Sequence, residues 1–335
     1  MFSFFKSNNP SVIVFYIFYL VLFRIYFAFV PIDSNFVFEY REPLSQLLFG
    51  FLKDVSFNPT VFSIVLSALL CFVQSLLVNS IVNGNKFLPR KSYISGALFI
   101  LFASFFKQGL LFSPAAVALT FLLLSTERLF SLFKKEKPNT AIFDVGFFIA
   151  IATLFYFPSI LFLFLAYIGL STIRAFAYRE WVIILIGFIC PFFLVFTYYF
   201  WNDQAGKLIG DIANVHSVGW LQAVTFNRFD GVMLLSLSVL AIASLILLPS
   251  ALYSSLIQVR KFSTLLVIFF FLIVISFALQ QTISLSHLVM MGLPLGIISS
   301  LVIMQIKNKV VSEVIHLILI LLVLAGQFLP LFNIF

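Results

Sequence analysis

Apolar stretches follow one another along this chain with only short polar breaks, at about 10–30, 58–82, 93–110, 113–133, 142–157, 158–173, 181–201, 230–250, 263–279, 285–304 and 312–332. About 20 apolar residues wound as a helix match the thickness of a bilayer's hydrocarbon core. That core offers backbone groups no water, so such stretches must pair their own amides as helices. The expected fold is therefore all-α: a polytopic transmembrane helix bundle of about eleven spans, forming one integral membrane domain over 1–335. The shorter stretches, near 93–110 and 142–173, are also short enough to be re-entrant hairpins. Composition excludes the alternative of a soluble domain, since 62% of residues are hydrophobic and 10% charged, against roughly half and a quarter in soluble domains. Lys6 precedes the first apolar run, which has no small-residue cleavage site, so the run reads as a retained span.

Positive residues set the expected orientation. With the N-terminus cytoplasmic, fourteen of the 20 Lys and Arg fall in cytoplasmic loops, and the C-terminus is then periplasmic in a bacterial inner membrane. The formal charge of +8 is on this reading a topology signal. A nucleic-acid partner, which would want a basic patch on a soluble fold, is excluded. Acidic residues concentrate instead in the two long loops assigned to the outer side, about 31–57 and 202–229.

One internal repeat stands out. Leu124-Ser125-Thr126-Glu127-Arg128-Leu129-Phe130 and Leu170-Ser171-Thr172-Ile173-Arg174-Ala175-Phe176 share a Leu-Ser-Thr-x-Arg-x-Phe pattern, each at the end of a hairpin opened by Ser113-Pro114 or Phe157-Pro158. Snorkelling of the two Arg at an interface accounts for the basic position equally well.

The residues able to carry chemistry lie mostly in the two long loops. In the first, Asp33 is the leading candidate for a catalytic carboxylate, with Glu39 and Glu42 in reserve and Arg41 beside them; the plainer account is a solvated acidic loop with weak surface pairs. From Leu44, the positions Leu44, Leu47, Leu48, Phe51 and Leu52 recur at helical spacing, which predicts a short helix over 44–53 lying along the membrane surface. Arg24, inside the first span, either binds the phosphate of a lipid carrier or snorkels to headgroups. Lys107 in the third-to-fourth turn has the same two readings. The second loop offers His216, Trp220 and Arg228, a mixture suited to sugar or headgroup recognition, although Trp220 also fits an interface anchor. His287 and His316, in or beside late spans, read as isolated packing or pore-edge residues and not as ligands. Cys71 and Cys190 have no spacing that suggests a metal or disulfide. Phosphate-binding, zinc-protease, serine-hydrolase and dinucleotide motifs are missing from the sequence. So are carboxylates deep in a span, of the kind that ion-driven transporters use.

The stretches Phe112-Ser113-Pro114, Leu154-Phe155-Tyr156-Phe157-Pro158-Ser159, Tyr178-Arg179-Glu180-Trp181 and Thr197-Tyr198-Tyr199-Phe200-Trp201 resemble a Phe-rich polytopic membrane family of Bacteroidetes, over nearly the whole chain. More distantly, the layout resembles the membrane glycosyltransferases of the GT-C type, which use polyprenyl-phosphate sugars. Their module of seven spans, a long first outer loop and a further outer loop after the seventh span would correspond to 1–201 with loops 31–57 and 202–229. The resemblance implies sugar transfer at the periplasmic face. A first-loop carboxylate would act as base or orient a divalent metal, with no other cofactor, while Arg24 or Lys107 would hold the carrier phosphate. The chain departs from that pattern in lacking an adjacent acidic pair and a soluble C-terminal domain. Two rival expectations are a non-catalytic subunit that packs against other membrane-protein subunits of an envelope or secretion complex, and a transporter of a lipid-linked substrate. Membrane lipids are partners in all three.

Overall fold

A computed structural model describes residues 5–6, 9–29, 42–55, 58–215, 228–253, 255–280 and 284–328. It is 85% helical, with no strand among the described residues, so nearly all backbone amides are paired within their own segment, as a bilayer demands. The helices are α1 (Ile13–Arg24, with a short turn at Tyr26–Phe29), α2 (Pro43–Val55), α3 (Pro59–Gly84), α4 (Ile94–Ala103), α5 (Pro114–Ser131), α6 (Asn139–Phe155) and α7 (Phe162–Ile173). They continue as α8 (Tyr178–Trp201), α9 (Ala205–Val215), α10 (Arg228–Leu252), α11 (Ile257–Ser276), α12 (Gly292–Gln305) and α13 (Lys309–Phe328).

Helix starts follow signals legible in the sequence. The Asn58 side chain accepts from the Val61 amide at 3.3 Å and the Ser113 hydroxyl from the Ala116 amide at 3.3 Å, each with Pro at the first helical position, where its missing N–H is no loss. Seven helical segments among the described residues are long and apolar enough to cross a membrane: those of α3, α5, α8, α10, α11, α13, and α12 with the 3₁₀ turn Leu285–Met291 that leads into it. Four further apolar segments, Pro10–Arg24, Ile94–Ala103, Asn139–Phe155 and Phe157–Ile173, are shorter. The ten residues of α4 rise only about 15 Å, half of a hydrocarbon core.

Hydrogen bonds sort the connections onto two ends. At one end Lys6 donates to Ile303 O, Gln305 to Ala251 O, Lys261 to Thr172 O and Arg174 to Lys135 O. Because Lys and Arg gather there, we call it the basic end. At the opposite end the Phe112 amide donates to Ser63 Oγ, Ser45 to Phe155 O, and Gln327 to Ser104 O. The repeated Arg positions act alike, Arg128 pairing with Asp144 at 3.4 Å and Arg174 with Glu180 at 3.2 Å. In each case the acid lies near the start of the following helix.

All of α4 is buried, as is 89% of the Leu285–Gln305 window, whereas only 17% of the α8 window is. Helices α4 and α12 are thus the axis of the bundle, and α8 and α10 line its rim. Apolar side chains gain little by leaving lipid for protein, so close packing at small residues holds such helices together. Gly292 and Gly296 of α12 sit against Phe99 of α4, Gly96 of α4 against Tyr16 and Ser75, and Gly146 of α6 against the α8 backbone at Ile184.

Candidate functional site

Pro158 cannot continue a helix, so the chain leaves α6 at Tyr156 in an extended conformation and re-enters a 3₁₀ turn, Phe157–Leu161. The break frees backbone groups that need partners. Helix α2 supplies them: Ser45 Oγ donates to Phe155 O at 2.6 Å, and a Glu42 carboxylate oxygen accepts from the Phe157 amide at 3.4 Å. The helix expected over 44–53 is therefore present, and it also docks on protein. Phe49 packs with Phe112 and Val117, while Leu47 and Phe51, 42% and 63% exposed, face away.

Tyr156, beside Glu42, turns its ring inward to His287, which is 0% exposed. The Tyr156 hydroxyl lies 3.0 Å from His287 Nδ1, and His287 Nε2 lies 3.0 Å from Ile273 O and 3.1 Å from Ser276 Oγ. A carbonyl can only accept, so Nε2 carries a proton. The result is a line of polar groups from Glu42 at the end of the bundle to a buried imidazole within it. His287, expected to be an isolated packing or pore-edge residue, is buried but not isolated, since it joins Tyr156, Ile273 and Ser276. No local pattern could have revealed this, because its partner Tyr156 lies 131 residues away. Since His287→Leu strands the buried Tyr156 hydroxyl, it is expected to lower stability by about 1–3 kcal/mol, read as an earlier unfolding midpoint in detergent. An unchanged midpoint would remove the array from the structural account.

A cavity of about 250 Å³ is walled by Gln46 and Leu47 of α2, by Tyr198 and Tyr199 of α8, and by Asn202, Gln204 and Lys207 at the start of α9. Gln46 lies one turn beyond Glu42, whose carbonyl accepts the Gln46 amide at 2.9 Å. The two long loops thus meet here, each through a helix; α9, in the second loop, was not expected. Leu208, Ile209, Ile212 and Val215 give it a clear helical period that the reading of 202–229 as a loop passed over.

The other expected site residues separate into groups. Arg24, 8% exposed, donates to Ser67 Oγ at 2.9 Å and Leu20 O at 3.4 Å, lies against Cys71, and leaves Nε without a partner. Ser67 passes the contact on to Leu110 O at 2.7 Å. Of its two expected readings, snorkelling is corrected: the guanidinium turns into the bundle, because Ser67 and Leu20 O offer acceptors there. Lys107 holds its ammonium 5.3 Å from the centre of the Tyr26 ring, with Asp230 in its electrostatic neighbourhood. The contacts of Arg24 and of Glu42 fall on different elements. Asp33, Glu39, Arg41, His216 and Trp220 lie outside the described residues, as does the side chain of Arg228. Among the described residues, no three His, Cys, Asp or Glu side chains gather as metal ligands would.

Compared with protein-family models, curated proteins and solved structures, the chain finds no match. Fold and site define a class: a multi-pass helical membrane protein with a polar cavity where its two long loops meet.

Proposed function

We propose that this chain is a glycosyltransferase-like protein of the bacterial inner membrane, which moves a sugar from a polyprenyl-phosphate carrier to an acceptor hydroxyl at the periplasmic face. The observation that carries this reading is Glu42, held one turn from the wall of the cavity that both long loops line. In the transfer, the acceptor oxygen forms a bond to the sugar's anomeric carbon as the bond from that carbon to the phosphate oxygen breaks. The acceptor proton passes to Glu42, and polyprenyl phosphate leaves with the bonding electrons. Gln46, Asn202 and Gln204 suit sugar hydroxyls, and Lys207 on the same wall suits the departing phosphate. Placing Lys207 in that role revises the expectation for Arg24 and Lys107.

The test uses purified protein in liposomes with undecaprenyl phosphate carrying a labelled hexose or pentose, and with bacterial envelope extract as the source of acceptor hydroxyls. Time-dependent loss of label from the carrier is expected. Carriers that all stay intact would remove the transfer reading and leave that of a non-catalytic subunit. A second reading, a transporter of a lipid-linked substrate, is favoured by cavities among cationic side chains at the basic end. It predicts movement of intact carrier across the bilayer.

The same proposal has eleven spans, with the N-terminus cytoplasmic and the periplasm at the end that holds Glu42. Alkaline phosphatase fused after Phe335 is then expected to be active in intact cells. A fusion active only in the cytoplasm would reverse every loop assignment.

A further inference from the structure

The turn joining α3 to α4 is firmly built. Asn83 spans it, donating from Nδ2 to Ser92 O at 3.1 Å and accepting the Ser92 amide on Oδ1 at 3.2 Å. Phe87 anchors it, its ring 5.8 Å from Phe130 and 5.9 Å from Phe262. Lys86 is kept in the left-handed region at φ 54°, which a non-glycine residue seldom adopts unless its surroundings impose it. The turn thereby sets Lys86, Arg90 and Lys91 around a cavity of about 480 Å³, closed on its other sides by the ends of α10 and α12.

A second cavity, of about 320 Å³, shares Arg90 and Met304 with the first and adds Lys6, Lys307, Lys309 and one carboxylate, Glu313. Lys6 is brought there by Phe5, which is fully buried, stacks on Tyr19 at 5.5 Å and accepts the Tyr93 amide on its carbonyl at 2.9 Å. Partial burial, and then the charge of Arg90, lower the pKa of Lys6. Like charges thus converge from three separate stretches of chain. Topology alone does not ask for this: retention of positive residues on one side needs only their sign, and Lys134, Lys135 and Lys137, in the α5–α6 connection, line neither cavity.

We infer that these adjoining cavities form one site for a phosphate-bearing anion, presented by a lipid headgroup or by a free phosphate or diphosphate. Amines and a guanidinium on separate elements can satisfy several phosphate oxygens at once, which a monovalent anion would not require. Leu256, Val259, Leu301 and Ile306 add apolar wall beside the charge, as a headgroup with its chains would meet it. The inference is independent of sugar transfer, because it concerns the opposite end of the bundle.

The experiment compares the full chain in detergent, titrated with inorganic pyrophosphate, with the same chain in nanodiscs of phosphatidylcholine with or without phosphatidylglycerol. The readout is the thermal unfolding midpoint. A midpoint that rises with pyrophosphate supports a free phosphate ligand, and one that rises only with phosphatidylglycerol supports a headgroup. In either case Arg90→Gln with Lys91→Gln should weaken the effect at least tenfold in ligand concentration, and added salt should weaken it further. Asn83→Ala, which keeps every charge but unties the turn, should weaken it too; the ligand-free midpoint of each variant, compared with that of the wild type, checks that it folds. No midpoint shift with either ligand, or an equal loss from Lys134→Gln with Lys135→Gln, would overturn the site.

Discussion

Glu42→Gln is expected to slow discharge of the lipid-linked sugar by about 100- to 10,000-fold, the usual contribution of a general base. The substitution isolates proton transfer from structure. The glutamine carbonyl oxygen can still accept the Phe157 amide that the carboxylate holds at 3.4 Å, so α2 stays docked through that contact and through Ser45. Carrier binding should therefore change little while turnover falls, a loss in kcat with KM nearly constant. Glu42→Ala removes the acceptor as well and is expected to lower stability by a further ~1 kcal/mol. A Glu42→Gln protein that discharges carrier at the wild-type rate would take Glu42 out of the chemistry and return the role to Asp33 or Glu39.

The largest loss of stability is expected at the crossing of α6 and α8. A Cβ on Gly146 would meet the carbonyl of Ile184, and one on Gly187 the carbonyl of Phe143. The two backbones touch there, and no side chain can rotate aside. Gly146→Leu or Gly187→Leu must push the helices apart, at a cost of about 3 kcal/mol or more, and should leave little monodisperse protein after solubilisation. Gly231→Ala is the matched control, since a Cβ there meets nothing within 4 Å. Equal recovery of Gly146→Leu and Gly231→Ala would mean that this crossing is not close-packed.

Helix starts were legible because Asn58-Pro59, Ser113-Pro114 and Pro158 act locally, through a cap or a missing amide. The helix at 44–53 was legible from its period, but the face that docks was not. In a bilayer an apolar side chain has two favourable environments, lipid and protein, so Leu47, Phe49 and Phe51 look alike in sequence although Phe49 alone turns inward. The hydroxyl of Ser45 decides between them by reaching the carbonyl that the Pro158 break sets free. Glu42 was legible as a carboxylate in a long loop, whereas its neighbours Tyr156 and His287 belong to other segments and became visible only in three dimensions. The α9 helix was legible too, since Leu208, Ile209, Ile212 and Val215 recur at helical spacing, but the polar residues around them let 202–229 pass for a single loop. The glycines at the α6–α8 crossing gave no local sign of which helix would approach them.

The partners of the first helix have a consequence for biosynthesis. The Tyr19 hydroxyl meets His316 Nε2 at 3.0 Å, and Lys6 reaches Ile303 O, each pair 297 residues apart in the sequence. At ribosomal speeds of about 5–20 residues per second, roughly 15–60 s pass between the emergence of one partner and of the other. Throughout that interval the Tyr19 hydroxyl cannot make its contact with His316. A nascent chain that stalls before residue 316 therefore keeps this helix unlatched, and the first helix made is among the last to be fixed in place.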